Sequence, residues 1–394
     1  MSTGARREYL KQMRLRYQKE KANCNRRGMS ALLNEAMMVT HYNRKYLIGL
    51  FSGKRRVGDG KPGAKSVYQL DLLHHFVKEL YFEMEQPGAP KMKAALPLWL
   101  PFYSRHGFTD KLRADLLQMS ESTIERILNR IRKSTKKGLP GTRRGSLLKN
   151  RIPLQTTNWD EKKPGFMEAD TVHHCGNSLI GEYAMSLTMT DIASTWTENR
   201  AMFSKAHTEV IKAVKSIEET LPFPLLGTDS DNGGEFINYD FIKYLQDRPN
   251  PVKFTRSRPY KKNDQAHVEQ KNYTHVRCLV GYDRIPKRFL AEMLDKIYIE
   301  LWNPLHNFFL PSMKIIRKTR VGSKIKRKYE KPKTAYQRLQ ESADMSLEAK
   351  KALNERFLKL NPFELKTKLE AALKELFTEQ RKYLSVYREE RKSA

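Results

Sequence analysis

The order of apolar runs after Pro164 constrains this chain more than any other feature. Phe166–Val172, Glu182–Thr190 and Trp196–Phe203 read as three strands with short connections. Lys205–Leu221 (KAHTEVIKAVKSIEETL) reads as a helix and Pro222–Thr228 (PFPLLGT) as a buried strand. A helix over Glu235–Gln246, a short strand over Val252–Thr255 and a long helix over Asp264–Val280 complete the series. The order is βββαβαβα, which implies an α/β unit: a mixed sheet flanked by helices.

Residues 1–130 read as helical. Ser30–Met38, a short turn and Arg44–Phe51 have the form of a helix-turn-helix, with Leu32, Leu33 and Ala36 packing against Leu47, Ile48 and Phe51. Arg44, Lys45 and Tyr46 then open the second helix, where a recognition helix meets base edges and phosphates. The pattern recurs at Lys111–Gln118 and Thr123–Arg132, with Ser122 and Glu125 at capping-box spacing. Thr123, Arg126 and Arg130 are the DNA-facing candidates of this second unit. The plain alternative for either pair is a helical hairpin with a solvated charged face. Between the two units, Tyr68–Glu85 is an amphipathic core helix, and its His74 and His75 are structural. Cys24 is the only cysteine among the first 130 residues, which excludes a paired-Cys, paired-His zinc domain there.

Charge separates the centre of the chain from its ends. Net charge is +30 over 394 residues, yet residues 160–282 hold 15 Lys and Arg against 17 Asp and Glu. The flanks carry 59 basic against 27 acidic residues, so a near-neutral core lies between two basic arms, as on a polyanion. One arm is the Gly/Pro-containing linker Lys133–Arg151, where Lys136, Lys137, Arg143 and Arg144 are set to follow a DNA backbone. The other is Lys314–Lys333, with ten basic residues in twenty. It reads as an extended segment or small β-unit that lays Lys324, Lys326, Arg327 and Lys328 on phosphate. The composition divides the chain at 1–60, 61–132, 133–158, 159–285, 286–340 and a helical tail at 341–394. In that tail Asn361, Pro362 and Glu364 mark a helix start. No apolar run approaches the roughly 20 residues of a membrane span. The start MSTGARREYLKQMRLRY has no apolar leader, so a cytoplasmic protein is expected. Cys24, Cys175 and Cys278 are odd in number and far apart, which speaks for a reducing compartment and for Cys175 and Cys278 as packing residues.

Three carboxylates carry the candidate chemistry: Asp170 in MEADTVHH, Asp231 in TDSDNGGEF and Glu269 in HVEQKN. Asp170 sits in an apolar strand, where a lone charge is costly without a partner. Asp231 follows the PFPLLGT strand and precedes Asn232, Gly233 and Gly234, a tight turn that lets DNA or metal approach the backbone. Glu269 lies on the Asp264–Val280 helix. Hard oxygen donors of this kind suit Mg²⁺, and two such ions can activate a nucleophile and stabilise a leaving oxygen in phosphodiester chemistry. Asn272 is three residues after Glu269 and on its face of the helix. Lys271 and Arg277 add cationic reach. Before the helix, Arg258, Tyr260, Lys261 and Lys262 form a basic loop with an aromatic, suited to an unpaired base. Asp229 is the rival of Asp231, two residues away on the same face of a strand. His173, His174 and His267 are expected to be supporting or solvated.

This constellation resembles the DDE transposase and retroviral-type integrase superfamily. The match lies in Asp170, in Asp231 of D-N-G-x-E-F, and in Glu269 with Asn272 in SRPYKKNDQAHVEQKN. LLNEAMMVTHYNRKYLIGLF and TRVGSKIKRKYEKPKTAYQRL resemble one group of bacterial insertion-sequence transposases more loosely. The 37 residues between Asp231 and Glu269 slightly exceed the superfamily's usual gap. The resemblance implies a ribonuclease-H-like core over 159–285, with the three carboxylates holding two Mg²⁺ or, in substitution, Mn²⁺. It implies an insertion-sequence transposase that binds terminal inverted repeats and target DNA, cleaves and joins strands, and assembles at least as a dimer on DNA. Two alternatives stay open: a nuclease of the same fold that does not join strands, and a DNA-binding regulator derived from a transposase.

Overall fold

Helices α1 (Thr3–Ala22), α2 (Arg26–Thr40) and α3 (Arg44–Phe51) enclose one apolar cluster. Leu10, Met13 and Tyr17 of α1 meet Leu32, Leu33 and Ala36 of α2 and Leu47, Leu50 and Phe51 of α3. Ile48, expected in that cluster, is exposed, and Leu50 takes its place because the α3 stripe runs 47, 50, 51. Asn25 and Asn43 cap α2 and α3, and His41 ends α2 in a left-handed conformation at φ 58°. These helices belong to the first of two compact units, Met1–Gln69 and Leu70–Ala394. The computed structural model describes residues 3–54, 68, 70–134, 162–204, 206–230, 236, 238–256 and 271–390.

The second unit opens with α4 (Leu70–Glu83), α5 (Ala89–Trp99), α6 (Asp110–Gln118) and α7 (Glu121–Ser134). Ser120, not Ser122, caps α7: its hydroxyl accepts from the Thr123 amide at 3.3 Å. Ser122 already lies inside the first turn, and Glu125 pairs with Arg132 at 2.7 Å instead of reaching back.

A five-stranded sheet follows, in the order β3-β2-β1-β4-β5. Its strands are β1 (Phe166–His173), β2 (Ala184–Asp191), β3 (Thr197–Phe203), β4 (Gly227–Ser230) and β5 (Lys253–Arg256). The first three are antiparallel, while β4 and β5 run parallel to β1. Helix α8 (His207–Thr220) joins β3 to β4, and α9 (Tyr239–Gln246) precedes β5. The mixed sheet and the strand–helix order up to β5 agree with the expectation, while residues 264–270 of the expected last helix lie outside the described residues. Strand β4 begins later than expected, because Pro222 and Pro224 have no N–H to give a ladder. Pairing starts at Leu226 and Gly227, whose amides both donate to the Gly165 carbonyl. Gly165 has φ 119°, and a Cβ there would fall 2.5 Å from the Pro224 carbonyl oxygen.

Every residue of β2 is buried, as in a strand covered on both faces. The outer edge, β3, is closed by side chains. Asn307 accepts from the Thr197 amide and donates to its carbonyl, Asn303 does the same for Asn199, and Asp295 accepts from the Ala201 amide. An otherwise open strand edge is thereby satisfied without another strand. These side chains come from α11 (Arg288–Ile297) and α12 (Asn303–Phe309), linked by a π-helical turn at Tyr298–Trp302. They follow α10, a π-helical turn over Asn272–Arg277 that continues as Cys278–Val280.

A hairpin, β6 (Ile315–Val321) with β7 (Lys324–Tyr329), precedes α13 (Ala335–Glu341), α14 (Leu347–Leu358) and α15 (Pro362–Glu390). Asn361 caps α15, accepting from the Phe363 amide. The closing helices pack into the same unit. Trp99 donates to the Phe309 carbonyl at 2.9 Å and meets Phe363 edge-on, while Tyr336 stacks on Phe357. Among the described residues no helix is long and apolar enough to cross a membrane.

Candidate active site

The strand register gathers polar side chains on one face of the sheet. Cross-strand partners share a face, and one row crosses all five strands: Thr197, Thr190, Glu168, Asp229 and Thr255. The Thr190 and Thr197 hydroxyls are 3.2 Å apart, and Thr255 donates to Asp229 at 2.6 Å. Glu168 and Asp229, 4% and 7% exposed, thus lie side by side inside the unit. The next row runs Asn199, Thr188 and Asp170, with Asn199 donating to Thr188 at 2.8 Å.

Asp170 is the last described residue of this second row and is half-buried. Its Oδ1 accepts from the Thr171 amide at 2.7 Å and its Oδ2 from the Asn272 side-chain amide at 2.6 Å. Two N–H donors set the rotamer of this carboxylate, so the group behaves as an oriented oxygen donor. Asn272 is 9% exposed, and its own Oδ1 has no hydrogen-bond partner among the described residues. The contact joins β1 to α10 across 102 residues of sequence.

The side chains around α10 differ in what they face. Lys271 is half-buried, with its amine 3.2 Å from His275 Nε2. Burial, with the charges of Lys91 and Arg338, pulls that amine down to about 7. Burial also holds His275 and His306 well below the usual histidine range, and their rings lie 3.8 Å apart. Arg277 donates to the His173 and Gly281 carbonyls and lies over Tyr282. Arg284 donates to four carbonyls, those of Cys175, Ser178, Ile180 and Glu182, and so pins the loop between β1 and β2. Buried His174, pushed down to about 3 by burial, bonds Ser186, which bonds Tyr298 in turn. Cys175 is half-buried, whereas Cys278, expected as a packing residue, is exposed because it lies on the outer side of α10.

No family model matches the sequence. Among curated proteins, the uncharacterized protein y4rM of Sinorhizobium fredii (strain NBRC 101917 / NGR234) is 33% identical over 312 residues, covering 76% of this chain and 86% of that protein. The chain belongs to the y4rM family. Solved structures similar to this y4rM-family protein include the BIV integrase catalytic core domain, at 18% identity and TM-score 0.23, covering 29% of this chain and 68% of that one. The simian T-cell lymphotropic virus intasome in complex with PP2A regulatory subunit B56 gamma matches at 17% and 0.27, covering 52% and 59%. The HTLV-2 integrase catalytic core domain in complex with magnesium matches at 18% and 0.24, covering 30% and 70%.

In this y4rM relative Asp231 and Glu269 lie outside the described residues, as do His267, Arg258, Tyr260, Lys261, Lys262, Lys136, Lys137, Arg143 and Arg144. Among the described residues no three acidic, His or Cys groups converge as a metal cage. Arg44 bonds Asn34 and Ser30, Lys45 is exposed, and Tyr46 meets Tyr42 edge-on. Thr123 bonds the Ser120 hydroxyl, while Arg126 and Arg130 point to solvent from one face of α7. Lys326, Arg327 and Lys328 are exposed on β7, which also holds Lys324. The Glu168–Asp229 pair went unnoticed in the sequence. Its signal is polar residues at alternate positions in EAD, TMT and TDS.

Proposed function

We propose that this protein is an insertion-sequence transposase, a DNA strand transferase in which Asp170, Asp231 and Glu269 hold two divalent metal ions. The observation that carries the reading is the 2.6 Å bond from Asn272 to Asp170. It ties the segment directly following Glu269 to the strand bearing Asp170. A second constraint is covalent. Asp231 follows Ser230, which pairs with Ala169, the residue before Asp170. Asp170 fits a hard-cation ligand: an oriented, half-open carboxylate whose oxygens are hard donors.

Bound there, two Mg²⁺ or Mn²⁺ ions would offset charge on the attacking and departing oxygens. The chain's own residues orient the reactants. Asn272 and the Thr171 amide fix the Asp170 carboxylate, and the basic arms hold duplex DNA. Water first breaks a phosphodiester at each terminal inverted repeat and leaves a 3′-hydroxyl. That hydroxyl then attacks a target phosphodiester, forming one P–O bond as another breaks, with the proton leaving to solvent. Two ends must meet, so the working species is at least a dimer on DNA.

The test is single replacement: Asp170→Asn, Asp231→Asn and Glu269→Gln. Each is expected to lower Mg²⁺-dependent cleavage and joining by about 10³-fold or more, the scale of several kcal/mol of charge stabilisation, while end binding stays intact. Full activity in any variant removes that residue from the site.

A further inference from the structure

The β6–β7 hairpin has an unusual surface. Residues 315–329 hold seven Lys and Arg and no acidic residue. Every described side chain of both strands is exposed, including Ile316 at 61%, Val321 at 50% and Ile325 at 42%. Register pairs Arg317 with Lys328 on one face of the ribbon, and Arg320 and Arg327 are exposed on the other. Like charges directly opposite destabilise a hairpin, and a two-stranded hairpin in water is marginal to begin with. The root, by contrast, is firmly held. Arg338 donates to the Ser312 and Lys333 carbonyls and the Thr195 hydroxyl and pairs with Glu330, while Lys314 donates to the Ile192 and Ala193 carbonyls. The ribbon is therefore braced on the turn between β2 and β3.

We propose that this hairpin is a β-ribbon that enters the major groove of double-stranded DNA. The proposal rests on the reading above for its ligand class, a nucleic acid, and adds the surface and the groove. A polyanion removes the penalty of the like-charged pair, and it is favoured on both faces at once. Strands of this length span about 20 Å at roughly 3.4 Å per residue. Two strands about 5 Å apart, with their side chains, fit a groove about 12 Å wide but not one of about 6 Å. Inside it, Ile316, Val321 and Ile325 can meet thymine methyl groups while the Lys and Arg side chains reach phosphates.

The experiment uses the full chain, a labelled 30-base-pair duplex and EDTA, so that no strand is cut. Two variants are compared with the parent: Arg317→Ser with Lys326→Ser and Lys328→Ser, and Arg320→Ser with Arg327→Ser. Each should weaken duplex binding at least about tenfold near 100 mM salt and flatten the log–log salt slope by about 0.9 per contact removed. Thermal transitions should be no lower than the parent's, since only exposed side chains are altered and like-charge repulsion is relieved. Guanine N7 methylation of the duplex should weaken binding by the parent, and a minor-groove ligand should not compete. Parent-like affinity and slope in both variants would overturn the proposal. So would competition by the minor-groove ligand without a methylation effect, or loss of self-association with duplex affinity intact. Asp170→Asn, assayed for cleavage of the same duplex with Mg²⁺ in place of EDTA, separates the two readings. If Asp170→Asn still cleaves DNA while the ribbon variants lose binding, the active-site reading fails and the ribbon stands.

Discussion

Asp170 depends on one neutral amide that lies far away in sequence. Asn272 donates to it from a nearly buried position, so Asn272→Ala removes a hydrogen bond to a charged acceptor and leaves room for a water molecule. Such bonds are worth about 1.5–3 kcal/mol, so strand cleavage by Asn272→Ala should fall roughly 10–100-fold, with duplex binding and thermal transition near parent values. Asn272→Gln, which restores the donor on a longer stem, should recover part of the loss. Equal activity of Asn272→Ala and parent would show that Asp170 needs no such support. Asp170 itself was legible, because a carboxylate inside an apolar strand is an exception to burial rules. Its bond to Asn272 was not, since nothing local links residues 102 apart. The Glu168–Asp229 pair was hidden for a related reason: a face is assigned across strands only once their register is known.

Elements were legible where period and punctuation agreed. The three antiparallel strands and α8 follow their apolar runs, while β4 shifted because prolines cannot donate to a ladder. The π-helical turns at Asn272–Arg277 and Tyr298–Trp302 leave no mark in a 3.6-residue pattern. These turns and the strand ends also enclose histidines. His174 follows β1, His275 lies in the first π turn and His306 on α12, and burial holds all three below the usual range. In the unfolded chain they titrate near pH 6.5. Below that pH the unfolded state takes up protons that the folded state refuses, so stability falls on acidification by about 1.4 kcal/mol per pH unit for each histidine. Asp191 and Asp295 act in the opposite sense: burial raises both, so the folded chain takes their protons first and gains stability through that range. Burial raises Glu83 as well, so three carboxyls oppose the three histidines, and the histidine share is read by difference. Between pH 7 and pH 5 the urea midpoint of His174→Gln should fall less, or rise more, than that of the parent. Tryptophan emission isolates the larger unit, because Trp99, Trp159, Trp196 and Trp302 all lie beyond Gln69. The same change in midpoint for His174→Gln and the parent would mean that His174 is hydrated in the folded chain.

At the scale of the whole molecule, charge and packing divide the work differently. The first unit has its own core and holds 16 Lys and Arg against 4 Asp and Glu up to Gln69. The second closes on itself through Trp99, Phe309, Phe357 and Phe363, so helices that composition alone divides among several segments share one core. That joining was illegible, because aromatic contacts from residue 99 to residue 363 have no local signature. It leads to a prediction. A fragment beginning at Leu70 keeps the entire sheet, its capped edge and Asp170 with Asn272, and loses only the small three-helix unit. It should unfold with the tryptophan transition of the full chain and retain divalent-metal-dependent nicking of duplex DNA. It still carries more Lys and Arg than Asp and Glu, so it should bind duplex with weaker affinity and a shallower salt slope, because fewer counterions are released. Preference for one end sequence over a scrambled duplex of equal length should disappear, if α3 reads base edges with its exposed Lys45. Competition binding of both duplexes to the fragment and to the full chain measures this directly. A fragment that still prefers the end sequence would move recognition to α7, where Arg126 and Arg130 stand exposed four residues apart, and would leave the first unit a role in affinity alone.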